Sequence, residues 1–514
     1  MADNRENWGS RLGVVLAMAG TAVGLGNFLR FPVQATQNGG GAFMIPYFCA
    51  LIFLAIPLMW CEWAMGRYGG EKGHGTTPGM FAALWRHPAA KYVGVLGMFL
   101  PFFITVYYVY LESWCLGFSW FALSGRYDEV TEVAKMGTFL QSYQGINRDY
   151  FGGMATAYGF FLATMACNSY VLYRGIRGGI EKLATWGMPI LFVFAVLLVV
   201  RVLTLGAPDP SRPENHVING LGFIWNPDFS QLDNAKIWLA AAGQIFFTTS
   251  VGCGAIQTYA SYLKRKDDVV ITGFSTTMSN EFVEVILGGS LAIPVAFAFF
   301  GQDMTLAIAK GGSFNLGFAA MPIVFQKLPL GALLGFMWFI LLFIAGITSS
   351  VALLQPVIAF MKDELQWSHK KAVAVTAGTC FAFAHVPILG LKFGALDEID
   401  FWVGTFGVVL FALLEVIIYV WLFSPEKAWA EIESGAQRRP PRFFFWVLKY
   451  VTPAYLACLF IAWTFQQGPD VLMMKGAAAE DLPWRWAARG LMLFGFAAMA
   501  YYVHKARARI EEAH

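Results

Sequence analysis

Long apolar stretches recur along the whole chain and decide which folds are open to it. A helix needs about 20 apolar residues to cross the hydrocarbon core of a bilayer. Only helices and closed barrels satisfy their backbone groups there, because the core holds no water. Twelve segments meet this requirement, over residues 12–36, 42–66, 91–122, 153–172, 180–205, 237–261, 270–300, 331–361, 372–391, 400–424, 445–467 and 486–504. We therefore predict an all-α integral membrane protein with twelve transmembrane helices.

Composition excludes several classes of soluble protein. Only 13% of the residues are charged, against about 25% in an ordinary soluble domain. The 36 basic and 33 acidic residues nearly balance, so nucleic acid is not expected as a partner. The seven cysteines form no C-x-x-C pair and mostly lie in apolar segments, which favours buried thiols over disulfides or metal ligands. The histidines form no H-E-x-x-H motif that would support a zinc hydrolase.

The distribution of Lys and Arg predicts the orientation. Loops on the side of both termini hold more than twice as many of these residues as the opposite loops, and such an excess marks the cytoplasmic side. Both termini are therefore predicted to be cytoplasmic. The lack of long cytoplasmic tails and of glycosylation-rich outer loops favours a bacterial inner membrane. The first segment lacks a small-residue cleavage site, so it is predicted to stay as a transmembrane segment. Residues 123–152, 206–236 and 301–330 would lie outside, the last folding back as a short helical lid.

Segments 1 and 6 are interrupted by small and polar residues. Segment 1 contains Gly20, Gly24, Gly26 and Asn27, and segment 6 contains the run 248–254, "TTSVGCG". For either cluster alone, close helix packing through small residues would be the default interpretation. If five helices form a repeat, however, the two clusters fall at matching positions, where transporters break helices to bind ligands. The pair together therefore favours a binding site.

Polar side chains inside the apolar segments are costly and usually line a pathway. The set comprises Asn27, Arg30, Glu62, Glu112, Asn280, Glu281, Glu284, Thr348, Ser349, Ser350 and Gln355. For any single member, a structural pair within the helix bundle is as good an explanation as a role in transport.

Several motifs resemble the neurotransmitter:sodium symporter family, and most closely its bacterial leucine-transporting members. They are "RLGVVLAMAGTAVGLGNFLRFPVQATQNGGGAFMIPY", "GQIFFTTSVGCGAIQTYASY", "NEFVEVILGGS", "AGITSSVALLQP" and "LDEIDFWVGT". The resemblance implies a 5+5 inverted repeat with discontinuous helices 1 and 6. Residues 1–205 would form the first five-helix repeat and 206–236 an extracellular connection. Residues 237–424 would form the second repeat, and 425–514 helices 11 and 12 with a cytoplasmic tail.

The resemblance also implies two sodium sites and no organic cofactor. The first would use the Ala22 carbonyl, Asn27, Thr248, Asn280 and the carboxylate of the bound amino acid. The second would use carbonyls of Gly20, Val23 and Ala345 with the hydroxyls of Thr348 and Ser349. Both sets contain only oxygen, as a hard cation requires. Because the substrate carboxylate is itself a ligand, each occupant would stabilise the other.

The amino acid would lie between segments 1, 3, 6 and 8. Its carboxylate would meet the amides near Leu25 and Gly26 and the Tyr108 hydroxyl. Its amino group would meet the carbonyls of Ala22, Phe247 and Thr248 and the Ser250 hydroxyl. Its side chain would contact Ile104, Phe247, Cys253, Ser349 and Leu353. Taken alone, Tyr108 and Phe247 are more simply explained as core aromatic residues.

Two gates are implied by the same resemblance. Arg30 and Asp400 would close the outer pathway above Phe247 and Tyr108. Arg5 and Asp363, with Trp8, Ser261, Tyr262 and Gln355, would close the inner one. Rocking of segments 1, 2, 6 and 7 against the rest would alternate access. Without the resemblance, Arg5 and Asp363 would be interpreted as solvated loop charges.

Two residues bear on specificity. The leucine-transporting members have phenylalanine where this chain has Cys253, so the hypothesis is a roomier pocket for larger apolar or aromatic amino acids, with leucine still in range. Glu284 matches the position where an acidic residue marks chloride-independent members. A buried carboxylate beside sodium could also exchange a proton. A purely structural carboxylic acid is the alternative interpretation of Glu284.

Three other functions remain open on the sequence. A sodium and amino-acid sensor would share the same binding site, and a channel would also have polar, unwound segments. An intramembrane enzyme could use Glu281 and Glu284 on one helix face, but no nucleophile or metal motif accompanies them. The favoured prediction is a sodium-coupled symporter of small hydrophobic or aromatic L-amino acids, not an enzyme. Its expected partners are sodium ions, the amino acid and membrane lipid, and the aromatic face of segment 12 would permit a homodimer.

Overall fold

The computed structural model describes residues 8–466 and 468–511, and these residues form helices and connections without a β-strand. The first helices are α1 (Arg11–Ala22), α2 (Leu25–Gln37), α3 (Gly41–Glu71), α4 (Thr77–Leu84), α5 (Ala90–Ser124), α6 (Val133–Tyr143), α7 (Ala155–Tyr173) and α8 (Ile176–Leu203). The middle helices are α9 (Val217–Trp225), α10 (Ala235–Thr249), α11 (Ala255–Ala260), α12 (Val269–Lys310), α13 (Asn315–Gln326) and α14 (Gly331–Asp363). The last are α15 (His369–Leu389), α16 (Ala395–Leu422), α17 (Pro425–Glu433), α18 (Phe443–Gln466), α19 (Gly468–Leu472), α20 (Leu482–Lys505) and α21 (Arg507–Glu511).

The all-α prediction is confirmed over the described residues. Eight of their helices are long and apolar enough to cross a membrane, and nine if the bent pair α1 and α2 counts as one span. The predicted segments 4, 6 and 12 correspond to α7, to α10 with α11, and to α20, which are helical but are not among those eight or nine. The chain is therefore a multi-pass helical protein, and the count of twelve spans stays a prediction.

Helices α5 and α14 pack against each other more extensively than any other pair, and they form the centre of the molecule. A Cβ atom added at Gly346 would lie 2.8 Å from Cγ of Glu112, so glycine on α14 permits the close approach to α5. Helix α1 packs against α8, α12 and α14. The neighbouring hydroxyl residues Thr348, Ser349 and Ser350 do not interrupt their helix, since α14 runs continuously for 33 residues.

Both predicted helix interruptions are confirmed. Helix α1 ends at Ala22, α2 begins at Leu25, and their axes differ by 44°. Helix α10 ends at Thr249 and α11 begins at Ala255. Between them Ser250, Gly252 and Gly254 have φ of 55°, 74° and 76°, values that a continuing right-handed helix does not contain. Backbone groups at both breaks are thus freed from the helical hydrogen-bond pattern.

The connections predicted outside the membrane contain helices of their own. Helix α6 lies within residues 123–152 and α9 within 206–236. Residues 301–330 form two helical pieces rather than one short segment: α12 continues through a kink at Gly301, where φ is 75°, and α13 follows. Helix α13 packs against α14 and α6.

Candidate functional site

The breaks in α1/α2 and α10/α11 border one cavity of about 430 Å³. Helices α5, α14 and α16 and the connection at residues 312–314 supply the rest of its wall. All eleven residues predicted to bind the substrate line it, namely Ala22, Leu25, Gly26, Ile104, Tyr108, Phe247, Thr248, Ser250, Cys253, Ser349 and Leu353. The structure thus brings together side chains that lie up to 331 positions apart, while their roles in binding stay predictions.

One end of the cavity is rich in hydrogen-bonding groups from the start of α2. The Leu25 amide donates to the Tyr108 hydroxyl at 3.1 Å, and the Gly24 amide donates to Oδ1 of Asn27 at 2.8 Å. The N-terminus of a helix carries partial positive charge and unsatisfied N–H groups. This end is therefore suited to a carboxylate. Across the cavity, the Ser250 hydroxyl donates to the Thr21 carbonyl at 3.1 Å.

The other part of the cavity is apolar. Cys253, Leu353 and Val408 form a small cluster with Ala255, and Ile104 packs against it. The thiol of Cys253 is small, and its neighbours Leu353 and Val408 are aliphatic. The arrangement suits a hydrophobic side chain whose main-chain groups point to the polar end.

The four protein groups of the first predicted sodium site lie together at the two breaks. Nδ2 of Asn27 lies 3.1 Å from the Thr248 hydroxyl and 2.8 Å from one end of the Asn280 amide. That end of Asn280 also lies 3.1 Å from the Ala22 carbonyl oxygen and 3.2 Å from the Thr248 carbonyl oxygen. With nitrogen there, the amide donates to both carbonyls. With oxygen there, three oxygens converge with no hydrogen between them, which is an arrangement that attracts a hard cation.

The second predicted set lies where α1 meets α14. The Ser349 hydroxyl donates to the Ala345 carbonyl at 3.0 Å and reaches the Gly20 carbonyl at 3.3 Å. The Thr348 hydroxyl bonds the carbonyls of Ile344 and Ala345 at 2.9 and 3.2 Å. Val23 directly follows α1 and its amide donates to the Ala19 carbonyl at 2.7 Å. Four of the five predicted sodium-ligand groups are therefore neighbours, namely those of Gly20, Ala345, Thr348 and Ser349.

Glu284 is fully buried beside the first set. It accepts hydrogen bonds from Gln244 at 2.9 Å, from the Tyr47 hydroxyl at 2.9 Å and from the Thr248 hydroxyl. Tyr47 also donates to Glu281 at 2.8 Å. Thr248 therefore connects the carboxyl group of Glu284 directly to the predicted sodium ligands.

The outer gate residues border the cavity but do not pair directly. The Arg30 guanidinium lies 4.1 Å from the ring centroid of Phe247. Asp400 instead accepts a hydrogen bond from the Tyr107 hydroxyl at 2.5 Å, and the described residues show no ion pair between Asp400 and Arg30. Beyond this level the cavity continues to Gln37 at the end of α2 and to Phe314.

The inner gate residues lie at the opposite end of the molecule. The Trp8 indole donates to the Tyr259 carbonyl at 3.4 Å and packs edge-on against the Tyr259 ring. Gln355 donates to the Tyr262 hydroxyl at 3.2 Å, and Asp363 is the last residue of α14. The Ser261 hydroxyl is turned to the Thr258 carbonyl at 2.6 Å. Arg5 lies outside the described residues.

Some contacts around the site were not predicted from the sequence. The Gly252 amide, in the α10/α11 break, donates to the buried carboxylate of Glu62 at 2.6 Å. Glu181 accepts from the Gly9 amide at 2.8 Å and from the Ser10 hydroxyl at 2.9 Å, which fixes the chain before α1. His74 and Glu364, both buried, meet at 2.7 Å. An acidic residue in an apolar segment marked Glu62 as a residue of interest, but nothing in the sequence identified the partners of Glu62, Glu181 or His74.

Comparisons with known proteins agree with this architecture. A model of the Sodium:neurotransmitter symporter family matches residues 5–130 and 152–501. An uncharacterized sodium-dependent transporter of Methanocaldococcus jannaschii is 31% identical, over 82% of this chain and 83% of its own. The sodium- and chloride-dependent glycine transporter 1 of Xenopus laevis is 25% identical, over 90% of this chain and 79% of its own. A crystal structure of MhsT in complex with L-phenylalanine matches with a TM-score of 0.77 and 26% identity, covering 89% of this chain and 100% of that one. Both curated relatives are transporters, as the prediction of a protein that is not an enzyme requires.

Proposed function

Because this chain belongs to the Sodium:neurotransmitter symporter family, we propose that it is a symporter coupling sodium entry to the uptake of small hydrophobic or aromatic L-amino acids. The observation that carries the proposal is the cavity at the two helix breaks. It combines free backbone groups and hydroxyls at one end with an apolar wall at the other. An α-amino acid has the same division between a charged main chain and an apolar side chain.

In the proposed complex, the carboxylate lies at the start of α2, near Leu25, Gly26 and the Tyr108 hydroxyl. The amino group lies near the carbonyls at the end of α1 and the Ser250 hydroxyl. One sodium ion binds among Ala22, Asn27, Thr248 and Asn280, and its remaining ligand is the carboxylate of the substrate. A second binds among Gly20, Val23, Ala345, Thr348 and Ser349. The shared carboxylate couples the free energies of ion and substrate binding.

The proposed transport cycle alternates access to this cavity. Ten of the twelve proposed helices form two inverted five-helix repeats, and with both termini cytoplasmic this arrangement would place the two breaks at mid-membrane. Arg30 with Asp400 and Arg5 with Asp363 then act as the outer and inner gates. The absence of a direct ion pair between Arg30 and Asp400 among the described residues, and the extension of the cavity to Phe314, are compatible with an outer path that is not sealed.

The size of the preferred substrate follows from the apolar wall. The matched MhsT structure holds L-phenylalanine, and one relative is named as a glycine transporter. Cys253, Ile104 and Leu353 leave space beside the backbone groups, which favours leucine, methionine and aromatic amino acids over glycine.

Glu284 supports a chloride-independent cycle. Its carboxylate is joined to the first sodium set through Thr248, so it supplies the negative charge that a bound anion would otherwise provide. Replacing external chloride by gluconate should leave uptake unchanged. In the variant Glu284→Ser, which removes the charge and leaves a small space, uptake should become dependent on chloride. Loss of wild-type transport in gluconate would contradict this role.

The decisive experiment is uptake into proteoliposomes. Purified protein is reconstituted with an inward sodium gradient, or with potassium in its place, and tested with labelled glycine, alanine, leucine, methionine, tyrosine and tryptophan. Sodium-dependent accumulation above equilibrium is expected, with a larger apolar amino acid preferred. Binding without accumulation would favour a sensor, and flux without sodium dependence would contradict the cation sites. Preference for glycine or alanine alone would refute the proposed pocket size.

A further inference from the structure

A second, smaller cavity lies near the start of α12, at the end of the molecule that also carries Trp8. It has a volume of about 290 Å³. Ile56 and Trp60 of α3 and Ile271 and Phe274 of α12 form its apolar wall, and Arg438 and Arg439 stand at its edge. Ile271 and Phe274 are 41% and 45% exposed, so the apolar wall opens to the outside of the helix bundle.

The two arginines are available for a ligand. Both are exposed, and neither has a hydrogen bond or ion pair with any other described residue. The nearby acidic group is already engaged, since Asp268 accepts from the Gln437 amide at 2.7 Å and from the Ile271 amide at 2.9 Å. Neither guanidinium group thus has an ion-pair partner among the described residues, and both adjoin the apolar groove.

The groove is held in place by contacts on three sides. Trp60 donates to the Val270 carbonyl at 3.0 Å and packs edge-on against Phe444 at 5.1 Å. The buried Arg67 donates to the Asp267 carbonyl at 2.8 Å and to the Ser434 carbonyl at 2.6 Å, and it pairs with Glu431. These bonds tie α3, the chain before α12 and the chain before α18 together.

Exposed aromatic side chains beside the groove are typical of a membrane boundary. The arginines precede α18, whose first turns expose Phe443, Trp446 and Tyr450. Aromatic side chains of this kind gather where hydrocarbon meets headgroups. A molecule that binds here must therefore be apolar where it contacts the helix bundle and anionic where it meets the two arginines. Among the lipids around the protein, this charge complementarity favours those with anionic headgroups.

We propose that this groove binds an anionic phospholipid, with part of one acyl chain against Trp60 and Phe274 and the phosphate at Arg438 and Arg439. The volume accommodates a portion of one chain rather than a whole lipid. Because the walls belong to α3 and α12 on one side and to the chain before α18 on the other, the bound lipid would stabilise the contact between them.

The test uses the purified full-length protein and measures lipid binding directly. Native mass spectrometry compares dioleoyl phosphatidylglycerol with dioleoyl phosphatidylcholine at equal concentration. Preferential binding of phosphatidylglycerol is expected. The double variant Arg438→Gln/Arg439→Gln should weaken that binding about thirtyfold, since each basic residue near an anionic lipid surface changes binding about fivefold. The variant Ile271→Trp, which fills the groove but keeps both charges, should weaken it as well.

The double variant Lys370→Gln/Lys371→Gln is the matched control. It removes two exposed charges of a basic pair that lies elsewhere, at the start of α15, and should bind phosphatidylglycerol like the wild type. Thermal unfolding and sodium-dependent amino-acid binding establish that each variant is folded, so failure of the lipid site is separable from failure of the transport proposal.

Four binding results would each overturn the proposal. They are equal binding of the two lipids, unchanged binding in Arg438→Gln/Arg439→Gln, equal weakening in the Lys370/Lys371 control, and full competition by soluble glycerol phosphate. The last would indicate a site for a free phosphate group. A dimer that forms through this face without retaining lipid would likewise contradict it.

Discussion

Cys253 lies at the apolar end of the main cavity, 5% exposed, beside Leu353 and Val408. We expect Cys253→Phe to reduce the apparent affinity for tyrosine and tryptophan at least about tenfold, because the added ring occupies the space that a large substrate needs. Leucine should change by less than about threefold. The measurement is competition of each amino acid against labelled leucine uptake.

The control for this substitution is Cys253→Ser, which nearly preserves the volume and should retain the wild-type order of substrates. If Cys253→Phe kept tryptophan as its preferred substrate, the pocket size would be set elsewhere, and Cys253 would be a packing residue.

Single residues were predictable where the local sequence itself is unusual. Glycines and hydroxyl residues in mid-segment indicated both breaks, and the resemblance then identified the residues that line the cavity. Glu62 could be singled out as a buried acid, but its partner Gly252 is 190 positions away. Glu181 and His74 likewise bond residues 172 and 290 positions distant. A periodicity within one segment carries no information about such partners.

At the scale of helices, the α10/α11 break contains three left-handed backbone conformations, and glycines adopt two of them, at Gly252 and Gly254. A Cβ atom at Gly254 would lie 2.0 Å from the Gly97 carbonyl oxygen, and φ there is 76°. Gly254→Ala should therefore cost more than about 2 kcal/mol of unfolding free energy and abolish amino-acid binding, because both the clash and the left-handed backbone oppose it. Thermal unfolding in detergent and equilibrium binding would measure the two effects.

Gly243, in α10 before the break, is the matched control. Outside the adjoining turns of α10, no atom lies within 4 Å of a Cβ added there, so Gly243→Ala should be neutral or stabilise the helix by up to about 1 kcal/mol. Equal loss of binding in both variants would mean that helix α10 as a whole, and not its broken end, limits the site.

The helices that cross the bundle were more predictable than those that lie along its ends. Apolar length located α3, α5, α8 and α14 to within a few residues. Helix α6 was missed because it is only 11 residues long and buries one face, through Met136, Phe139 and Leu140. Such a helix is stabilised by packing against α13 rather than by its own hydropathy, so a scan for membrane-length segments cannot find it.

For the molecule as a whole, sodium and substrate should stabilise the fold and each other. At a sodium concentration one hundred times its Kd, the expected gain in unfolding free energy is about 2.7 kcal/mol per site. The melting temperature should rise by several degrees in sodium over potassium, and leucine should add to this only when sodium is present. The variant Asn27→Ala should lose the first site's share of the sodium effect, and leucine should then add little in either salt. If leucine stabilised the protein equally in potassium and in sodium, this would contradict a substrate carboxylate that is also a sodium ligand.

The hydrogen bonds and ion pair of Arg67 have a consequence for the order in which the chain assembles. Its partners Glu431 and Ser434 are 364 and 367 positions later in the sequence. At about 5–20 residues per second, the ribosome needs from roughly 20 s to more than a minute to reach them. Throughout that time the Arg67 guanidinium near the end of α3 lacks most of the hydrogen bonds that offset the cost of burying its charge. Final docking of α3 therefore waits for α17, and the chain completes its assembly in the membrane only after most of it has been synthesised.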